Sequence, residues 1–205
     1  MPNDFENLIN YIQRLPGIGP KAATRIAIYL LTKDNKLANE LSTAISHTVN
    51  TVGTCINCGN FSKKGSLCAI CNDSKRNRAS IAIVAGISDI YAIEKAGVHD
   101  GMYFVFDAID NLFEDKYLFD NQIEKLASII KGYMDKVESK VEVIFALPYN
   151  IDSEVACSVI SEKLADLFSN NIHLSRISLG MPSGADFDYT DKLTILKSFK
   201  GRTVV

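Results

Sequence analysis

Several features that would assign this chain to a secreted, membrane or nucleotide-hydrolysing class are missing from its sequence. The first residues hold no positive segment followed by an apolar run and a small-residue cleavage site, so we expect no signal peptide. The longest apolar stretches have only the length of a strand and are broken by charges, which excludes a membrane-spanning helix. No Gly-x-x-x-x-Gly-Lys-Ser/Thr loop occurs, so use of ATP is not expected. We therefore expect a cytoplasmic protein with no membrane partner.

The composition is that of a folded protein with an uneven distribution of charge. Hydrophobic residues make up 47% of the 205 residues, enough to bury a core in one or two compact domains. The net charge of −2 by itself argues against a nucleic-acid-binding protein. However, residues 1–80 contain ten Lys or Arg and five Asp or Glu, whereas residues 81–205 contain twelve and nineteen. Any contact with a polyanion is therefore expected near the front of the chain, unless the surface charge is merely uneven.

Three helical patterns precede residue 51, and a turn separates the first two. Hydrophobic residues recur at helical spacing over about 4–14, 22–31 and 36–50, which predicts three helices. The segment Leu-Pro-Gly-Ile-Gly-Pro-Lys at 15–21 interrupts the pattern, because glycine and proline punctuate it. Pro20 suits the first turn of the second helix, where its missing N–H costs little. The sequence therefore predicts two helices joined by a tight hairpin.

This hairpin has the features of a site for a DNA phosphate. Gly17 and Gly19 allow a tight turn with positive φ and a close approach of the backbone to a ligand. The turn leads into a helix N-terminus, whose free N–H groups and dipole favour an anion. Lys21 and Arg25 lie four residues apart, on one face of that helix. We predict that these four residues grip the DNA backbone without reading its sequence; the alternative is an ordinary helix corner that is rich in glycine.

Four of the five cysteines form two Cys-x-x-Cys pairs. Cys55 and Cys58 form the first pair, and Cys68 and Cys71 form the second. Thiols stay reduced in the cytoplasm, so clustered cysteines indicate a metal rather than disulfides. Two pairs give a closed tetrahedral site of four sulfurs, which predicts one structural Zn²⁺ per chain. Cys157 stands alone on an apolar helical stripe and is predicted to lie in a core.

Basic residues cluster around these cysteines. They would extend the phosphate-binding surface, or they are ordinary solvated side chains, and both interpretations stay open. The residues are Lys63, Lys64, Lys75, Arg76 and Arg78.

From residue 80 onward the chain predicts an α/β fold. Short apolar runs with the character of buried strands alternate with helical patterns, which is typical of a mostly parallel sheet covered on both faces. The predicted strands are 81–85, 102–106, 141–147 and 172–179, and the predicted helices are 88–96, 120–135, 153–168 and 191–199.

The order of hairpin, four-cysteine module and α/β domain resembles the RecR family of bacterial recombination mediators. The resemblance covers nearly the whole chain, and it rests also on Asp89-Ile-Tyr-Ala-Ile-Glu94, Asp152-Ser-Glu154 and the segment at 175–186. It implies a Rossmann-like toprim domain, the fold of topoisomerases and primases. The implied parts are a helix-hairpin-helix DNA-binding region at 1–53, a four-cysteine zinc finger at 54–78, the toprim domain at 79–175, and a C-terminal extension at 176–205 that completes the α/β domain and makes oligomer contacts.

The carboxylates that a toprim enzyme needs for Mg²⁺ are missing from this sequence. By resemblance, Ala85 occupies the position of the usual glutamate after the first strand. The third strand leads into 146–149 without any carboxylate. Asp152 and Glu154 remain as candidates to meet a cation or a basic partner. We therefore expect a scaffold rather than an enzyme.

Two segments depart from the family pattern. The family carries Thr-Asn-Pro where this chain has Leu-Pro-Tyr at 147–149, and a glycine-rich stretch where this chain has residues 107–112. Because ligands and partners bind at the carboxyl ends of strands, partner use is expected to be altered here.

The resemblance implies a role in recombinational DNA repair. Subunits of such proteins join into a ring around DNA, a tetramer by resemblance, and act with RecO, and in some cases RecF, to load RecA. Two alternatives stay open at this point. One is a toprim-type Mg²⁺-dependent enzyme, primase-like or nuclease-like, against which Ala85 weighs. The other is a zinc-stabilised adaptor without DNA contact, against which Lys21 and Arg25 weigh.

Overall fold

The computed structural model describes residues 3–109, 114–181 and 184–201. The chain divides into two compact units, one up to Val52 and one from Gly53 onward. Within the described ranges, no helix is both long enough and apolar enough to cross a membrane.

The first unit is a bundle of three helices, as the periodicity predicts. Helix α1 spans Asn3–Gln13, α2 spans Pro20–Thr32 and α3 spans Asn35–Thr51. The apolar stripe of α1 is half-buried, and α2 buries Ala23 and Ala27 completely. Small residues at these two positions let α1 pack closely against α2.

Small elements that the sequence did not predict follow α3, at the boundary between the two units. Strand β1 spans Val52–Thr54, β2 spans Phe61–Lys63, and the two pair as a ribbon. A single helical turn, α4 at Ala69–Asn72, follows. Elements this short carry no readable hydrophobic period, so only the cysteine spacing marked this region.

A four-stranded parallel sheet forms the body of the second unit. Its strands are β3 (Asn77–Val84), β4 (Gly101–Val105), β5 (Val141–Ala146) and β6 (Ile172–Arg176), and they lie in the order β4-β3-β5-β6. All neighbouring pairs are parallel, so the predicted sheet is confirmed. The last strand is shorter than predicted, because beyond it only the N–H of Ile177 still donates to a carbonyl of β5.

Helices cover both faces of this sheet. They are α5 (Ile87–Ala96), α6 (Lys116–Met134) and α7 (Ile151–Phe168). Helix α8 (Lys192–Lys200) lies beside the first turn of α7, where its Lys197 pairs with Glu154. Alternate residues of β3 and β5 pack with α6 and α7 in the larger core, which includes Ile83, Phe145, Leu126 and Ile160. The other face forms a smaller core with α5. This mixed α/β fold, with its four parallel strands, is consistent with a toprim-like domain.

Candidate DNA-binding hairpin and metal centre

The glycine-rich segment forms a tight turn between α1 and α2. Gly17 adopts φ +78°, a left-handed conformation that strains residues with a Cβ. Gly19 has an extended backbone at φ −84°, so the predicted positive φ occurs at Gly17 only. A Cβ at Gly19 would meet nothing within 4 Å, which leaves open space beside the turn. The N–H of Ile18 donates to the carbonyl of Leu15 at 3.2 Å and closes the turn.

The hairpin presents an uncapped helix N-terminus and two cations. Pro20 stands at the start of α2, and no side chain caps the first turn, so its N–H groups are open to an anion. Lys21 and Arg25 are both exposed, whereas Ala23 and Ala27 of the same helix are buried. The cations therefore lie away from the packed face of α2, where a phosphate can reach them.

The four paired cysteines converge in one buried cluster. Their sulfurs all lie within 4.8 Å of one another, and the sulfurs of Cys58 and Cys68 are 3.6 Å apart. Zinc–sulfur bonds of about 2.3 Å in a tetrahedron place sulfurs roughly 3.8 Å apart, so the cluster fits a four-thiolate metal site. A disulfide needs about 2 Å and is not formed, and all five cysteines are free.

Backbone N–H groups point at the sulfurs and favour their charged form. Cys68 N–H donates to Cys55 Sγ at 3.3 Å, Cys71 N–H to Cys68 Sγ at 3.4 Å and Asn60 N–H to Cys58 Sγ at 3.5 Å. The hydrogen bond from the Cys58 thiol lowers the pKa of Cys71 to about 6, and the same bond raises the pKa of Cys58. A bound metal ion would displace the protons that these cysteines share, because a cysteine binds a metal as the deprotonated thiolate.

Two contacts outside the cluster tie it to the α/β fold, and sequence reasoning missed both. The amide of Asn57 donates to Cys71 Sγ at 3.6 Å and to the hydroxyl of Tyr133, on α6, at 2.8 Å. The N–H of Val105, at the end of β4, donates to the carbonyl of Cys58 at 2.8 Å. Burial raises the pKa of Tyr133 to about 12, so its hydroxyl stays neutral. No pattern in the sequence joins positions this far apart.

At the carboxyl edge of the described sheet, the position at which toprim enzymes hold Mg²⁺, no three carboxylates converge on one point. A pocket of about 190 Å³ lies there, lined among others by Ala85, Asp107, Asn150 and Ser153. Asp107 is the one carboxylate in this lining, and it accepts a hydrogen bond from Gln122. Within the described ranges, the four cysteines are the one group of three or more His, Cys, Asp or Glu side chains whose ligand atoms converge. The segment 107–112, which by resemblance replaces a glycine-rich stretch, lies partly outside the described residues.

The predicted partner-binding carboxylates lie in the first turn of α7 but differ in their surroundings. Asp152 is exposed. Glu154 forms ion pairs with Arg176 Nη1 at 2.9 Å and Lys197 Nζ at 3.8 Å, and therefore has cationic partners within its own chain. Arg176 and Lys197 also lie over the ring of Tyr149, at 4.0 and 4.7 Å from its centroid.

Comparison with known proteins connects these parts to one family. A family model described as RecR, helix-hairpin-helix matches residues 5–49, and a second described as RecR, C-terminal matches residues 180–203. The chain is 34% identical over 201 residues to the Recombination protein RecR of Bifidobacterium adolescentis, covering 98% of this chain and 96% of that protein. The identity is 35% over 195 residues with the protein of that name from Chloroflexus aurantiacus, covering 95% and 91%. It is 30% over 201 residues with that from Nitrobacter winogradskyi, covering 98% and 96%.

The alignments run through every part described above, from the hairpin to the C-terminal segment. Identity of this level over nearly the full length of both chains indicates a common fold. No large part of the chain falls outside the aligned region. The helical hairpin and the parallel sheet agree with that relationship. The chain therefore belongs to the RecR family of recombination proteins.

Proposed function

We propose that this protein is a non-enzymatic, DNA-binding recombination mediator of the cytoplasm. It forms a ring-like clamp on DNA, a tetramer by family resemblance, and acts with RecO to load RecA, with RecF as a second candidate partner. Its parts are the helix-hairpin-helix region at 1–53, the four-cysteine zinc finger at 54–78, the toprim domain at 79–175 and the C-terminal extension at 176–205. The observation that carries the proposal is the hairpin, where an uncapped helix N-terminus, Lys21 and Arg25 lie together beside open space at Gly19.

Phosphate is the DNA group that this hairpin suits. N–H groups at a helix N-terminus and two long cationic side chains match phosphate oxygens in charge and in hydrogen bonding. None of these groups distinguishes one base from another, so the grip is independent of sequence. One hairpin reaches few phosphates, and several hairpins in a ring would add their contacts through effective concentration.

The surface of α3 supports the assembly part of the proposal. Leu41, Ile45 and Val49 recur at helical spacing and are all exposed, so one face of α3 is apolar and unburied within the chain. Exposed apolar stripes of this kind are typical of surfaces that bind another protein chain. Joining subunits through this region would bury them.

The cysteine cluster supports a structural Zn²⁺ held by Cys55, Cys58, Cys68 and Cys71. All four coordination positions would be filled by protein, so the metal would stabilise the fold and leave no place for a reactive water. The absence of convergent carboxylates at the described sheet edge supports a scaffold over a Mg²⁺-dependent enzyme.

The hairpin hypothesis is tested by replacing Lys21 and Arg25 with Ala together. We expect DNA affinity to fall roughly tenfold or more at moderate salt, and the slope of log affinity against log salt to become shallower by about 0.9 per lost contact. The loss should be equal for DNA of different sequence. Fluorescence anisotropy with labelled duplexes over a series of salt concentrations measures all three quantities.

A matched control removes the same charge from the same unit. Lys33 and Lys36 follow the C-terminal end of α2 and are exposed, and their replacement by Ala should leave binding near that of the wild type. Circular dichroism should give the same helix content for both double variants. If Lys21→Ala with Arg25→Ala binds DNA as tightly as the control, the hairpin is not the DNA site.

A further inference from the structure

The ribbon of the cysteine module carries an exposed aromatic ring beside basic residues. Phe61 and Lys63 are alternate residues of β2, so their side chains lie on the same face of the ribbon. Phe61 is 54% exposed, and Lys63 and Lys64 are exposed as well. The aliphatic part of the Lys64 side chain packs against Gly53 of β1, where a Cβ would lie only 3.0 Å from Lys64 Cγ. The Lys64 side chain as a whole is exposed, so its charge faces solvent.

The fold holds this ring in place without burying it. The Phe61 N–H donates to Asn60 Oδ1 at 2.7 Å, and the carbonyl of Asn60 accepts from the Cys55 N–H at 2.6 Å. The backbone that carries the ring is therefore fixed next to the buried cysteine cluster. Over the part of the chain that the structure describes, no other ring or cation stacks on Phe61. The ring contributes little to the core and is available to a ligand.

The charge around the ring selects an anionic ligand. Between Glu40 and Asp73 the sequence contains no Asp or Glu, so no carboxylate of this stretch opposes Lys63 or Lys64. Two more apolar side chains of the module, Ile56 and Leu67, are exposed, and the Ile56 N–H bonds to the carbonyl of Ser66. The ligand that combines flat apolar surfaces with regularly spaced negative charge is a single-stranded nucleic acid.

We propose that the outer face of the β1–β2 ribbon binds single-stranded DNA, with a base stacked on Phe61 and phosphates at Lys63 and Lys64. In a duplex the bases are already stacked on one another, and an exposed ring on a short ribbon cannot reach their faces. This site deepens the proposed DNA-binding function, on which it rests, because it adds a preference for unpaired strands that the hairpin does not supply. It uses none of the hairpin residues.

The absence of tryptophan from the chain gives a direct test of stacking. Phe61→Trp introduces a lone tryptophan at the proposed site, and a stacked base quenches its fluorescence. We expect a thymidine oligonucleotide to quench it in a saturable manner. Tyr117→Trp, which places the reporter at an exposed position of α6, is the matched control, and its fluorescence should change little.

Affinity measurements with the full-length protein give the second test. Phe61→Leu keeps an apolar side chain but removes the ring, and should weaken binding of the thymidine oligonucleotide by about tenfold. Binding of a duplex of the same length should stay unchanged. Replacing Lys63 and Lys64 with Ala should reduce the salt slope on the oligonucleotide by about 1.4, or about 0.7 per contact.

The outcomes separate this site from the hairpin. If the wild type binds the duplex but Phe61→Trp is not quenched and Phe61→Leu binds the oligonucleotide normally, the ribbon proposal is wrong and the proposed function stands. If the wild type binds neither DNA, the proposed function itself fails. If Phe61→Leu changes the mass of the protein in solution without changing DNA affinity, the ring belongs to a protein interface and the ribbon proposal is overturned.

Discussion

Asn57 joins the cysteine cluster to the α/β fold through two side-chain hydrogen bonds. One amide group supplies two N–H donors, and here they point at Cys71 Sγ and at the hydroxyl of Tyr133. A hydrogen bond to a thiolate stabilises its negative charge and fixes its orientation toward the metal. Asn57 therefore supports the proposed zinc site from outside the four ligands.

Replacement of Asn57 by Ala should loosen the metal. We expect metal affinity to fall by about tenfold or more, because residues that contact the ligands contribute this much in metal sites. The measurement is transfer of zinc to a chromogenic chelator, with the absorption spectrum of the cobalt-substituted protein as a report on the sulfur–metal bonds. Tyr133→Phe removes only the partner of Asn57 and should have a smaller effect.

Asn72 provides the control for this substitution. It is exposed and follows Cys71 directly, and in the described structure it forms no hydrogen bond with the sulfurs. Asn72→Ala should keep the wild-type rate of metal transfer. Equal rates for Asn57→Ala and Asn72→Ala would show that Asn57 does not support the site.

At the scale of elements, α8 is attached to the sheet edge by charge and by one aromatic ring. Arg176 at the end of β6 and Lys197 of α8 both lie over Tyr149, and both pair with Glu154 of α7. The ring of Tyr149 therefore contacts cations from two elements, β6 and α8. The tyrosine hydroxyl also donates to the carbonyl of Ile177 at 2.5 Å.

Tyr149→Ala should release α8 while leaving the sheet folded. Loss of the cation–π contact between Tyr149 and Lys197, worth about 0.5–2 kcal/mol, should raise deuterium exchange of the α8 amides by roughly tenfold. Tyr149→Phe keeps the ring and should exchange nearly as slowly as the wild type. Tyr189→Ala, at a side chain that is 92% exposed, is a control for the loss of a surface ring. Fast exchange in the Phe variant as well would mean that the hydroxyl, and not the ring, holds α8.

The sequence predicted most elements here but not this attachment. Helical spacing and buried-strand runs located seven helices and four strands to within a few residues, because both periods follow from local backbone geometry. The same spacing placed Glu154 on α7 as a carboxylate open to a partner. Its pairing with Arg176 and Lys197 depends on how β6 and α8 pack, and no local period encodes that.

At the scale of the whole molecule, the metal site and the α/β core are continuous. The four cysteines belong to the same apolar cluster as the residues of α6 and α7, and all of them lie in the unit that begins at Gly53. The three-helix unit before it has its own buried residues, Ala23 and Ala27. Loss of the metal should therefore weaken one unit and spare the other.

Removal of the metal by a chelator should produce two separate unfolding steps. We expect the α/β unit to lose several kcal/mol of stability, because structural zinc binding contributes directly to folding free energy, while the three helices melt as before. Thermal unfolding followed by circular dichroism, with and without chelator, measures this. Cys58→Ser should act like the chelator, and Cys157→Ala, a buried cysteine outside the cluster, should not. A single unchanged transition after metal removal would contradict the prediction.

The sequence by itself determined the order of the parts, the turn at Gly17 and the gathering of Cys55, Cys58, Cys68 and Cys71. These depend on short-range geometry, since a glycine conformation, a helical period or a Cys-x-x-Cys spacing acts over a few residues. Only the tertiary structure decided that Asn57 meets Tyr133, 76 positions away, and that Glu154 meets cations from two other elements. Such pairs form because packing of the sheet and helices brings distant side chains within hydrogen-bonding distance, and the burial of Tyr133 further favours a partner for its hydroxyl.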